Sequence, residues 1–106
     1  MNTTEKVVLD RFKVLLSKRV HVYRIILFGS RARGDADPQS DMDVAVILDG
    51  AADDQARDAV SDCAWEAGFD QAIVVVPVVF GREEWENGPE RYSLLAQAVQ
   101  AEGLEV

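Results

Sequence analysis

Residues Ile25 to Leu48 read IILFGSRARGDADPQSDMDVAVIL, and the way this stretch folds decides the rest of the chain. The apolar run Ile25–Phe28 drops straight into Gly29-Ser30. Ten residues further on comes Asp41-Met42-Asp43, and Val44–Leu48 is a second apolar run. The pattern predicts a strand, a tight turn opening a short helix, a loop, and a second strand. Gly29 suits a turn whose backbone passes close to a ligand, because it lacks a Cβ and tolerates positive φ. Ser30 is expected to cap the helical turn, whose free N–H groups form an anion site. Side chains alternate along a strand, so Asp41 and Asp43 share a face and Met42 takes the other. Two carboxylates about 7 Å apart along one strand face make a cradle for a divalent cation. A phosphate cradle beside a metal cradle points to nucleotide chemistry.

Two competing motifs fail on their own residues. Gly29 and Gly34 have P-loop spacing, but Asp35-Ala36 stands where Lys and Ser or Thr should follow. Asp35 and Asp37 open like a calcium loop, yet Gln39, Ser40 and Val46 occupy its third ligand, its turn glycine and its final glutamate. The plain alternative is an acidic surface loop between two core strands.

The chain has 106 residues, 48% of them hydrophobic and 28% charged, which suits a single globular domain with one core. A net charge of −8 argues against a nucleic-acid groove, since phosphate contacts need a Lys/Arg surplus on some face. A small nucleotide remains compatible, because two arginines and a bound cation can meet its phosphates. The same acidity suits a basic protein partner. Cys63 is the only cysteine, so no internal disulfide forms, as in a reducing cytosol. With no apolar leader and no run near ~18 apolar residues, a cytoplasmic chain without membrane insertion is expected.

Outward from the central stretch, Thr3 or Thr4 is expected to cap a first helix ending near Lys18. Its inner stripe is Val8, Phe12, Leu15 and Leu16, with Glu5 outside. His21, the only histidine, reads as a surface residue at the mouth of the first strand, Val22–Phe28. A helix follows from Asp53 or Asp54 to about Ala67, with Ala56, Val60, Cys63, Ala64 and Ala67 inward and Gly68 as its stop. Ala72–Phe80 is the third strand, and Pro77 demands an edge or a strand end because it cannot donate a ladder hydrogen bond. A turn or short helix carries Glu83, Glu84 and Trp85. Pro89 is expected to open the last helix, with Tyr92, Leu95, Ala96 and Val99 inward and Gly103 as its stop. The fold class is therefore α/β (α+β): a small mixed sheet of three or more strands, helices mainly on one face, Asp41 and Asp43 on the other. Trp65, Trp85 and the tail Leu104–Val106 are candidates for a partner surface.

Gly29-Ser30, ten residues, then Asp41-x-Asp43 resembles the signature of the DNA polymerase β-like nucleotidyltransferase superfamily. Phe28 ahead of the pair, Arg31, Arg33 and Gly34 after it, and Ser40 before the first Asp agree with it. The subgroup it looks most like is the minimal nucleotidyltransferases, antitoxin-type partners of HEPN-domain toxins. The resemblance implies a nucleotidyltransferase enzyme moving a nucleoside monophosphate, AMP from ATP, onto a hydroxyl of a HEPN-type partner protein. It assigns Asp41 and Asp43 to Mg²⁺ or Mn²⁺, Gly29 and Ser30 to the phosphates, and Arg31 or Arg33 to a charge clamp. One family feature is missing: active members carry a third carboxylate on the third strand, and Ala72–Phe80 has none. Asp70, Glu83 and Glu84 are the possible stand-ins. That gap keeps open an alternative, a catalytically weak or inactive nucleotide-binding interaction module.

Overall fold

The computed structural model describes residues 1–106. Strands β1 (Val22–Phe28) and β2 (Met42–Leu48) pair antiparallel, with Ile26 opposite Ala45 and Phe28 opposite Asp43. Strand β3 (Val75–Gly81) runs parallel to β2, which requires a crossover; helix α3 (Asp54–Phe69) supplies it. The tail Leu104–Glu105 pairs with β1 as β4, giving the order β3-β2-β1-β4. Pro77 therefore lies within an edge strand, one of the two places it was expected.

Alternation in β1 and β2 splits the apolar residues between two faces, as four consecutive buried residues in β1 require. On one face, Ile25, Leu27, Val44 and Val46 meet helix α1 (Thr3–Ser17) and α3 through Val8, Phe12, Leu16, Val60, Cys63 and Ala64. On the other, Ile26, Phe28, Ala45 and Ile47 meet Phe80, Trp85, Ala96 and Val99. The last three belong to α4 (Arg82–Asn87) and α5 (Leu94–Glu102), which are much shorter than α1 and α3. The fold is thus mixed α/β with its larger helices on one face. Asp43 stands on the other, because Met42 and Val44 are turned into the α1/α3 core.

Several local expectations are corrected. The cap of α1 is Asn2, whose side chain accepts from the Glu5 N–H at 2.8 Å while Glu5 accepts from the Asn2 N–H at 2.9 Å. This reciprocal box buries Glu5, which was expected outside the apolar stripe. Gly68 lies inside α3, not after it. A Cβ there would meet the Ile73 carbonyl at 1.9 Å, so glycine serves close approach of the returning chain. The expected final helix breaks into a 3₁₀ turn, Pro89–Tyr92, and α5, capped by Ser93. That break leaves Tyr92 and Leu95 exposed instead of inward. Trp85, a candidate for a partner surface, is buried against Phe80 at 5.1 Å between ring centroids. The tail is likewise used within the sheet. No helix is long and apolar enough to cross a membrane.

Candidate nucleotide site

The turn after β1 holds Gly29 at φ 76°, ψ −157°, a backbone state L side chains avoid. A Cβ on Gly29 would sit 2.5 Å from Asp43 Oδ2, so glycine is required twice: for the dihedral and for the carboxylate packed on it. Antiparallel pairing of Phe28 with Asp43 creates that contact. Gly29, not Ser30, occupies the cap position of the short helix α2 (Ser30–Arg33), and Ser30 is its first residue. The N–H groups of Ala32 and Arg33 donate to the Gly29 carbonyl and those of Gly34 and Asp35 to Ser30. The N–H groups of Ser30 and Arg31 are left at the free end of the turn, as helix geometry demands.

Asp41 is exposed just ahead of β2, and Asp43 is half-buried. Burial pushes the Asp43 carboxyl above the ordinary aspartate range, the Asp41 charge pushes it further, and Arg33 pulls it back. A site that raises a carboxylate's pKa by crowding another beside it is relieved by a cation, and hard oxygen donors suit Mg²⁺ or Mn²⁺. The residues present fit one such ion, with its remaining positions open to water or phosphate oxygens.

The two arginines, read alike from the sequence, part company. Arg31 is buried: Nη1 donates to Glu5 at 3.0 Å, Nη2 to the Pro38 carbonyl at 3.0 Å, and Nε and Nη2 to the Ser40 carbonyl at 3.1 and 2.6 Å. Every nitrogen of its guanidinium is engaged, so Arg31 braces the loop leading to Asp41 and does not face the carboxylates. Burial pushes the Glu5 carboxyl up, but the Asn2 N–H and the Arg31 guanidinium outweigh it and hold it below the usual range. Arg33 is exposed, with Nε 3.3 Å from Asp35 and Nη1 3.0 Å from Glu102 of α5. Hydrogen bonds to Asp35 and then Glu102 strengthen its hold on its proton. Glu5 and Glu102 are the members that sequence reading missed. Asn2-x-x-Glu5 has capping-box spacing and was legible; the pairings across 26 and 69 residues were not.

On β3 the residue in register with Asp43 is Val76, and Val78 stands beside Ala45. None of the possible stand-ins reaches the pair. Asp70 ends α3 and lies 3.5 Å from Arg11 of α1, on the opposite face. Glu83 and Glu84 follow the far end of β3, five residues or roughly 17 Å of strand beyond Val76. Glu84 accepts from the Gly81 N–H there, and no three His, Cys, Asp or Glu side chains of the chain converge as a metal-holding group. His21 is exposed, as expected. Cys63 is buried and its thiol pushed up by burial, an inert packing residue.

The glycine turn after β1 is thus packed on Asp43, the second residue of β2, with the exposed Asp41 just ahead of the strand. Residues 8–95 match the model of the nucleotidyltransferase domain, and the chain belongs to that family. Its fold is shared with antitoxin-type complexes. A chain of a toxin–antitoxin complex solved with AMP-PNP is 24% identical, with 91% of this chain and 69% of that one covered and a TM-score of 0.65. The toxin–antitoxin pair MntA-HpeT, in mutant form, matches at 21% identity over 99% and 71%, with a TM-score of 0.61. A complex of the tri-AMPylated Shewanella oneidensis HEPN toxin with an MNT antitoxin matches at 21% over 97% and 71%, with a TM-score of 0.60. No curated protein matches the chain.

Proposed function

We propose that this chain is a minimal nucleotidyltransferase that moves AMP from ATP to a hydroxyl of a HEPN-type partner protein, as an antitoxin. The observation that carries the reading is the packing of Asp43 against Gly29, which sets a carboxylate beside the glycine turn. The solved complexes with AMP-PNP and with an AMPylated HEPN toxin support the nucleotide and the partner. The N–H groups of Ser30 and Arg31 would meet the β- and γ-phosphates, and the exposed Arg33 would add positive charge beside them. Arg31 acts as a positioning residue by fixing the Ser40 carbonyl next to Asp41. Asp41 and Asp43 would hold Mg²⁺ or Mn²⁺, which supplies charge neutralisation at the phosphates. The acceptor oxygen forms a bond to the α-phosphorus and the bond to the pyrophosphate oxygen breaks. Pyrophosphate leaves, and the hydroxyl proton passes to solvent, because β3 offers no carboxylate to take it.

That last feature favours a second reading, a nucleotide-binding antitoxin acting by contact with little transfer. Incubation with labelled ATP, Mg²⁺ and a HEPN-type protein separates the two. Label on the partner that depends on Asp43 supports transfer. A complex with bound ATP and no label supports the second reading, and a chain that binds no ATP ends both.

A further inference from the structure

Helix α3 leaves two aromatic rings in solvent at the outer edge of the sheet. Trp65 is 68% exposed and Phe69 66%, and their rings contact at 5.8 Å between centroids. One helical turn apart, they form a single ridge. Beside it an apolar cleft runs over Ile73, Val74, Val75 and Pro77. Val74, 54% exposed, joins this cleft to the nucleotide site, since its carbonyl accepts at 2.9 Å from the N–H of Met42, between Asp41 and Asp43. Val76, 36% exposed and in register with Asp43, continues the same ground. Apolar surface therefore starts on α3, rounds the edge of β3 and ends against the carboxylate pair. Single exposed hydrophobes are ordinary, but a contiguous run leading into a polar site is not.

Charge and backbone narrow what fits. Helix α3 carries Asp54, Asp58, Asp62 and Glu66; Arg19 pairs with Asp62 and Arg11 with Glu66, which leaves Asp54 and Asp58 without an ion-pair partner. A second copy would press these acids, and two net charges of −8, against each other. An added strand is also poorly served. Pro77 has no N–H to offer, and Arg57 Nη1 already donates to the Val79 carbonyl at 3.2 Å. The complement is a protein surface with apolar side chains set among Lys or Arg, seated through side chains.

We infer that the Trp65–Phe69 cleft is where the acceptor protein docks, its basic-rimmed apolar segment lying on α3 and β3 so that its hydroxyl reaches Asp41 and Asp43. The inference rests on the transferase reading and adds where the acceptor is held. The probe is a HEPN-domain protein that forms a complex with this chain, with Mg²⁺ and labelled ATP. In Trp65→Ser/Phe69→Ser, complex formation by calorimetry weakens about tenfold or more, as for anchoring aromatics. Labelling of the partner at low concentration falls in step, while ATP affinity stays at the wild-type value. Tyr92→Ser/Leu94→Ser, on the other exposed apolar patch, changes neither. In a Trp85→Phe background, which leaves Trp65 as the one emitter, partner binding reduces acrylamide quenching; this reads the contact without disturbing it. Unchanged binding in the first variant, loss in the second instead, or unaltered quenching overturns the inference. So does self-association of the wild type that Trp65→Ser/Phe69→Ser abolishes. A complex that needs Trp65 and Phe69, formed by a chain that never binds ATP, supports the docking surface and ends the transferase reading alone.

Discussion

The two neighbours of β2 meet Asp43 in opposite ways. From β1, Gly29 comes so close that only the absence of a Cβ lets the carboxylate fit. From β3, a strand without an acid, the residue in register with Asp43 is Val76. On one side the backbone is held at positive φ against a carboxylate, and the other side is apolar and open to solvent. Under the proposed function, the contrast separates gripping a nucleotide, assigned to the β1 side, from activating an acceptor, which the β3 side leaves to something else. It also gives β3 an alternative use as ground for a protein segment.

The sharpest way to break the contrast is Asp43→Asn. Mg²⁺-dependent ATP affinity is expected to fall to the Mg²⁺-free level and transfer to drop about 100-fold or more, the scale of losing one preorganised electrostatic partner. Calorimetry with and without Mg²⁺ checks it, and equal ATP affinity in both proteins would remove Asp43 from the site. Next in size is Arg31→Met, which leaves Glu5 buried without its partner. A loss of about 3–5 kcal/mol is expected in urea unfolding. Glu5 in the wild type is held below its usual range, so its stabilisation is present above the ordinary glutamate pKa and lost as pH falls through the lowered value. The deficit of Arg31→Met should accordingly shrink in acid. Arg33→Ala, by contrast, should keep wild-type stability and weaken ATP binding. Equal behaviour of the two variants would erase the distinction drawn between them.

Val76→Asp sharpens the comparison from the other side. Restoring the carboxylate opposite Asp43 should raise transfer to the partner several-fold, with little change in ATP affinity. Steady-state labelling is the measurement, and an unchanged or lower rate would show that β3 is not where activation is lacking. The smallest effect concerns charge alone. Asp43 has its pKa raised by burial and by Asp41, so the favourable contribution it makes when protonated is complete below the ordinary aspartate pKa and is lost as pH rises through the raised value. Without divalent cations, Asp43→Asn should therefore melt a few degrees higher than wild type near neutral pH. That gain should vanish in acid and diminish when Mg²⁺ is added to the wild type. A melting temperature no higher than wild type at neutral pH would contradict the crowding of the two carboxylates.

Local chemistry carried far. Alternation in Ile25–Leu48 and Gly29 before a polar turn were enough to read the first two strands and the face bearing Asp43, while Pro77 in an apolar run left an edge and a strand end both open for the third. Boundaries slipped where a contact distant in sequence overrode a local cue. Gly68 reads as a helix stop but is kept small by the Ile73 carbonyl, and Tyr92 reads as an inward residue until Ser93 restarts the helix. Local sequence was enough for the strands, the glycine turn and the lack of an acid on the third strand, because each is read within a few residues. It took the packed chain to show that Arg31 is spent on Glu5 while Arg33 stays exposed in ion pairs with Asp35 and Glu102, that Trp85 is core while Trp65 is surface, and that Val76 stands in register with Asp43. Those outcomes depend on strand register and on which helix covers which face, and these are set by packing the whole chain at once.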